Sequence, residues 1–233
     1  MEHKRLTLFA GHYGSGKTNI AVNYALHLAR EGKKVCIADL DIVNPYFRTK
    51  DSAAVLEKAG VELISPQYAN TNVDLPALPA ESYRLVQDKN IYGIMDIGGD
   101  DRGAYALGRY TPFIKEENDY RMAFVANCYR PLTRTPEDAL TIMREIEAAC
   151  GLPFTCIINN SNLGTETTPE TVLQSQKFIR ELSAISGLPI FLQTATIEVA
   201  RKLGDSVENL FGLELQEKLF DLPSQKSARP LWG

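Results

Sequence analysis

Cysteine is sparse in this chain, and none of its four copies lies close enough to another to form a C-x-x-C or C-x-C pair. Cys36, Cys128, Cys150 and Cys156 therefore lack the spacing of a zinc ribbon or a redox dithiol. Cys36 and Cys156 fall in apolar runs and Cys150 ends a predicted helix, so these three read as buried thiols. Cys128, just past a strand end, is the one with room for another role. Long hydrophobic runs are also missing, which argues against a membrane-spanning helix. The charged amino-terminal residues meet a glycine-rich loop before a signal-type apolar segment can form. A net charge of −4 and a pI of about 5.5 supply no broad basic surface for nucleic acid. Repeats, low-complexity tracts and convincing linkers are absent too. Residues 1–233 read as a single domain, and the chain as cytoplasmic.

What is present is concentrated in "LFAGHYGSGKTNIAV", residues 8 to 22. Leu6 to Ala10 is an apolar run that predicts a buried strand, and Ile20, Ala21, Tyr24, Ala25 and Leu28 are spaced for one helix face. Between them lies Gly11-His12-Tyr13-Gly14-Ser15-Gly16-Lys17-Thr18, the G-x-x-x-x-G-K-[ST] pattern in its strand–loop–helix context. Gly14 and Gly16 let main-chain N–H groups curl around phosphates, and the helix start adds unsatisfied donors and a positive dipole end. Gly14, Ser15, Gly16, Lys17, Thr18 and Asn19 are thus the expected nucleotide-binding run. Lys17 is assigned to the β- and γ-phosphates and Thr18 to Mg²⁺.

Further strands are predicted at 34–39, 61–64, 91–97, 122–126, 154–158 and 188–193, with short helices at 52–58 and 82–87 and a proline-containing loop at 66–79. Two longer helices share one grammar. Thr135 caps and Pro136 opens the first, with Asp138 near the cap, Leu140, Met143 and Ile146 on its apolar face, and Gly151 ending it. Thr168, Pro169 and Gly187 repeat that start and stop. Helices alternating with short β-branched strands predict a three-layer α/β fold, a mostly parallel sheet covered on both faces.

In such a sheet ligands gather beyond the carboxyl ends of the strands. Asp39 and Asp41 follow the second strand and share a face in extended geometry; holding a metal-bound water, with Asp41 on the metal side, orienting the attacking water, and an ordinary capping turn are all compatible with them. Asp96 ends the strand in "IMDIGGDD" as the second metal-side acid, and Gly99 completes a D-x-x-G form able to swing an N–H toward a γ-phosphate. Asp100, Asp101 and Arg102 read as a solvated loop tip. The "IINNSNLG" segment carries no N-K-x-D, which disfavours guanine. Asn160 can instead donate to and accept from an adenine edge.

Taken in order, the phosphate loop, "DLDIVN", "MDIGG" and "INNSN" resemble the ParA/MinD-type ATPases, a group that includes partition ATPases and the nitrogenase iron protein. The resemblance implies a P-loop NTPase fold, ATP and Mg²⁺ as ligands, a face-to-face homodimer in the ATP state, and slow hydrolysis coupled to a protein partner. It places Lys17 on the phosphates, Thr18 on the ion, Asp96 near the ion through water, and Asp41 where the attacking water is aligned. The chain departs from that pattern where His12 stands in place of the signature lysine; Arg48, Arg102 and Arg130 are the candidate replacements. Cluster-bridging thiol spacing is missing. The carboxy-terminal "ENLFGLELQEKLFDL" has Leu210, Phe211, Leu215 and Leu219 at near-helical spacing but is acidic, unlike a membrane anchor. The expected function is a nucleotide-dependent ATPase switch. The alternative is an ATP-dependent kinase or ligase like dethiobiotin synthetase or the cobyrinate-amidating enzymes, with Arg130 and Arg134 in a lid over an acceptor.

Overall fold

The computed structural model describes residues 2–40, 52–64, 80–99 and 101–215. Its elements run β1 (Leu6–Ala10), α1 (Lys17–Arg30), β2 (Val35–Leu40), α2 (Ala53–Lys58), β3 (Glu62–Ile64), α3 (Arg84–Gln87), β4 (Tyr92–Ile97), α4 (Asp101–Gly108), α5 (Thr111–Glu117) and β5 (Tyr120–Ala126). They continue with α6 (Pro136–Cys150), β6 (Cys156–Asn159), α7 (Pro169–Gln174), α8 (Gln176–Ser186), β7 (Ile190–Thr196), α9 (Ile197–Leu203) and β8 (Leu210–Leu213). The eight described strands form one sheet in the order β3-β2-β4-β1-β5-β6-β7-β8. Each described pairing is parallel.

Parallel strands buried on both faces carry apolar residues at successive positions rather than alternate ones. LTLFA of β1 and VCIADL of β2 are buried throughout, the polar Thr7 and Asp39 included. Alternation still sorts the side chains by face. Leu6, Leu8, Ala38, Met95 and Phe124 join Leu107, Met143 and Ile179 of α4, α6 and α8 in one cluster. Phe9, Ile37, Ile94, Val125 and Ile158 join Ile20, Tyr24 and Leu28 of α1 in the other. The result is the expected three-layer sandwich, and each fully buried α1 aliphatic such as Ile20 or Leu28 contributes about 1.5–3 kcal/mol.

Helix ends follow the sequence grammar. Thr135 Oγ1 accepts from the Asp138 N–H at 3.1 Å and Gly151 closes α6 with φ of 67°. Thr168 forms a capping box with Thr171, and Gly187 ends α8. The single helix expected between Thr168 and Gly187 is, however, broken at Ser175. That hydroxyl donates to Val172 O at 2.7 Å and accepts from Asn159 Nδ2 at 2.8 Å, tying the break to the tip of β6.

Other expectations are corrected. Residues 101 and 102 open α4 rather than a loop tip. The segment around Leu210 and Phe211 is the edge strand β8, not a helix, because it pairs alongside β7 from Gln193↔Leu210 to Thr196↔Leu213. The strand expected at 188–193 is thus followed, among the described residues, by one more. The loop at 66–79, Leu219, Arg48 and Asp100 lie outside the described residues, as does Asp41. No helix among the described residues is long and apolar enough to cross a membrane.

Candidate functional site

β1 leads toward β2 on one side of the sheet, whereas β5 leads toward β6 on the other. Their carboxyl ends therefore flank a topological switch point, where this class of sheet leaves a crevice. The glycine-rich loop leaves β1 at that point. Inside it the Ser15 N–H donates to His12 O at 3.1 Å, and Lys17 Nζ donates to the same carbonyl at 3.2 Å. Gly16 is the N-cap of α1 in the left-handed region, with φ of 91°. No side chain caps this helix, and no acidic residue occupies its first turn. The first N–H groups of α1 are thus left pointing out of the helix with the positive dipole end behind them, which is the chemistry of an anion cradle.

Around the cradle the sheet supplies carboxylates. Asp39 and Asp96 are register partners on β2 and β4, 6% and 2% exposed. They follow Ile37 and Ile94 by two positions, so both lie on the sheet face that α1 covers. Asp39, weighed in the sequence only alongside Asp41, thus becomes the described partner of Asp96. Gly99 lies directly against the loop: a Cβ there would sit 2.6 Å from Tyr13 N and 2.9 Å from Lys17 Nζ. Any side chain at this position would collide with the phosphate loop. Thr18 is half-buried in the first turn of α1. Asn19, next to it, accepts from Asn23 Nδ2 through both its carbonyl and its side-chain oxygen at 2.8 and 3.3 Å.

Asn160 makes two contacts that the sequence did not announce. Its Nδ2 donates to Ser15 O at 2.6 Å and its Oδ1 accepts from Thr194 Oγ1 at 2.6 Å. The amide is a brace between β7 and the phosphate loop, and a Cβ on Gly16 would collide with its Nδ2. The second hydrogen of the amide is not used in these two bonds. Asn127, not singled out from the sequence, organises the adjoining strand tip by accepting from the Tyr129 and Asn162 N–H groups at 3.0 and 3.4 Å. Clustered Asn and Ser after two strands were the available signal, in "AN" and "NNSN".

Of the candidate replacements for the missing lysine, Arg130 is the one whose side chain is described, and the fold brings it to the loop. Its Nε donates to Gly14 O at 3.0 Å. His12 belongs to the loop itself, and its Nδ1 lies 2.9 Å from Tyr13 O on the exposed loop tip. Arg134 is exposed at the end of the turn that precedes α6. Cys128 is half-buried, its N–H donates to Ser161 Oγ at 3.1 Å, and burial pushes its thiol up from the ordinary value. All four cysteines are free; burial drives Cys36 and Cys156 up to about 12, so these thiols stay protonated and unreactive.

Solved structures with the same architecture include the cell division protein FtsY of Thermotoga maritima. It is 17% identical with a TM-score of 0.56, and the match covers 83% of this chain and 62% of that one. The fold is that of the P-loop NTPases. FtsY of Mycoplasma mycoides is 16% identical, TM-score 0.54, with 82% and 60% of the two chains covered. The signal recognition particle receptor FtsY of Elizabethkingia anophelis, in complex with GDP, is 16% identical, TM-score 0.51, with coverage of 83% and 58%. The chain spans about three fifths of the length of these neighbours, and identities this low extend the likeness to fold alone. They support the P-loop class and not the narrower ParA/MinD-type resemblance. No protein-family model and no curated protein matches the chain.

Proposed function

We propose that this chain is a Mg²⁺-dependent P-loop ATPase that acts as a nucleotide-controlled switch for a protein partner, as one domain in a reducing cytoplasm. The observation that carries the reading is the uncapped start of α1 behind Gly16, with buried Lys17 at its first position and Gly99 packed on the same loop. A triphosphate fits this cradle through main-chain donors and the Lys17 ammonium. The donor set also suits a hard divalent cation, since Thr18 offers a hydroxyl and Asp39 and Asp96 offer buried carboxylates on one face. Mg²⁺, when bound, would neutralise charge on the β- and γ-phosphates. Two carboxylates at adjacent register positions repel each other, and a nearby cation offsets that cost. Asp41 is assigned to water alignment, and the Asp96-to-Gly99 segment to sensing the γ-phosphate, because movement of Gly99 away from Tyr13 would expose the loop.

ATP is preferred over GTP on the absence of N-K-x-D, and the second hydrogen of the Asn160 amide is assigned to the adenine edge. The GDP held by one structural neighbour makes a guanine nucleotide the competitor to test. A small-molecule kinase or ligase is the weaker alternative: Arg130, half of its expected lid, is engaged on Gly14 O instead. An ATP-state homodimer would close over the exposed Tyr13. The deciding experiment measures turnover of ATP and GTP with purified full-length protein, and its size in a non-hydrolysable analogue. Slow Mg²⁺-dependent ATP hydrolysis with analogue-dependent dimerisation is expected. Preference for GTP, or turnover only when a metabolite is added, would overturn the ATPase-switch assignment.

A further inference from the structure

The chain has only three histidines, and two of them converge on one carboxylate at the end of the sheet opposite the phosphate loop. His3 precedes β1; His27 and Glu31 stand one turn apart where α1 ends. His3 Nε2 lies 2.8 Å from one oxygen of Glu31, and His27 Nε2 lies 3.3 Å from the other. One ligand atom from each of the three residues falls within 4.8 Å of the others. We propose that His3, His27 and Glu31 form a site for a zinc-class divalent cation that fastens the segment before β1 to the carboxyl end of α1.

Four features of the chemistry support this. Two imidazoles with one carboxylate select zinc, cobalt or nickel over magnesium or calcium, which prefer all-oxygen shells. Metal–ligand bonds of about 2.0–2.2 Å set tetrahedral donors roughly 3.4 Å apart; the His27–Glu31 pair at 3.3 Å already has that spacing, and the His3–Glu31 pair at 2.8 Å opens to it by rotation of the partly exposed Glu31 side chain. His3 Nδ1 is 3.2 Å from the Tyr24 hydroxyl, the outer partner that fixes a ligating imidazole in orientation and leaves Nε2 for the ion. Finally, Glu31 is the residue that caps the carboxyl end of α1, where negative charge is unfavourable and a cation is favoured. The fourth position would be water, because the Glu31 carboxylate is 40% exposed while His3 is 10% exposed. Rings pack around the ligands: His3 against Tyr24 and His27 at centroid distances of 6.2 and 6.0 Å, and His27 against Phe211 at 5.6 Å. This wall limits where the imidazoles can turn.

The test titrates nucleotide-free, full-length protein with Co²⁺ and with Zn²⁺, following visible absorption for the first and calorimetry for the second. One saturable equivalent, with the intense absorption of low-coordinate cobalt, is expected and should be displaced by Zn²⁺. His27→Gln and Glu31→Gln should each abolish the cobalt band without changing the far-ultraviolet circular dichroism. Tyr24→Phe should weaken binding roughly tenfold, the size of effect typical for an outer-shell partner. If the full-length protein takes up no equivalent, or if the cobalt band survives both His27→Gln and His3→Gln, the three side chains are a hydrogen-bonded network only and the site does not exist. A second measurement guards against misfolded variants: Zn²⁺ should raise the melting temperature of the parent protein and leave that of His27→Gln unmoved.

Discussion

The two ends of this sheet handle polar groups in opposite ways. At the amino ends of the strands, Arg5 is satisfied almost completely by the protein itself. Its Nη1 donates to the carbonyls of Leu85, Asp88 and Ile91 at 2.9, 3.2 and 3.2 Å, and its Nε and Nη2 pair with the Glu117 carboxylate. Lys89 adds a second cation to Glu117 at 2.7 Å. At the carboxyl ends, by contrast, α1 begins without a side-chain cap on a loop that Asn160 and Arg130 brace from outside. The first arrangement is a closed network whose job is stability. The second invests in holding donors ready for something the chain does not itself contain, the arrangement expected of a binding site.

Breaking one end should therefore leave the other intact. Lys17→Ala removes the charge at the first position of α1 and should abolish ATP binding by calorimetry while the fold persists. Retained binding would remove the phosphate cradle from the account. Asp41→Ala should keep ATP affinity but slow hydrolysis; turnover at the parent rate would show that this residue does not align the water. Neither change should disturb the Arg5 network.

The amino end predicts the reverse pattern. Glu117→Ala strands the Arg5 guanidinium, which is only 9% exposed in its side chain, and loss of one partner of a buried pair costs about 3–5 kcal/mol. Urea unfolding should show that loss with ATP affinity unchanged. Acid should act through the same group. Burial by itself would raise the Glu117 carboxyl, but hydrogen bonds from Arg5 and Lys89 outweigh it and hold the group below its ordinary 4.5. A depressed folded pKa means the contribution is present above about pH 4.5 and is lost as pH falls through the lower folded value. The Glu117→Ala protein should accordingly lose less stability than the parent between pH 5 and pH 3.

Much of the carboxyl end was legible because its signals are local. A glycine loop between strand and helix, and an Asp at a strand tip, each announce their place within a few residues. The same is true of the Thr-Pro helix starts at 135 and 168. Legibility failed where the deciding contact is remote. Asn160 offers the same amide to a base or to Ser15 O, and only the fold, by placing β7 beside β6, brings Thr194 in to orient it. α4 was hidden by Gly103 and Gly108, which weaken helix propensity by about 1 kcal/mol each; Gly103 is required because a Cβ there would sit 2.6 Å from Gly98 Cα. α5 carried part of the helix-start signal, Pro112 in its first turn, but its N-cap is Tyr110 and no side chain caps it. The apolar spacing around Leu210 suited a helix, but four residues pairing with β7 make it a strand, since edge pairing overrides short periodicity.

Asn160 is also where the comparison between the two ends is sharpest, because it belongs to both kinds of arrangement. It is 5% exposed and satisfied on two sides like Arg5, yet what it holds is the phosphate loop. Asn160→Ala removes the donor to Ser15 O and the acceptor for Thr194, leaving both partners buried, so a loss of about 1–3 kcal/mol is expected in urea unfolding. A purely structural brace would stop there. A brace that also touches the base should lose ATP affinity further, and unequally among nucleotides: the affinity ratio of ATP to inorganic triphosphate should fall toward unity in the variant. Asn160→Asp refines the point, since a carboxylate can still accept from Thr194 but can no longer donate to Ser15 O, and it brings a negative charge toward the cradle. If both variants weaken ATP and triphosphate equally, Asn160 acts on the loop alone and the adenine edge must be read by another residue.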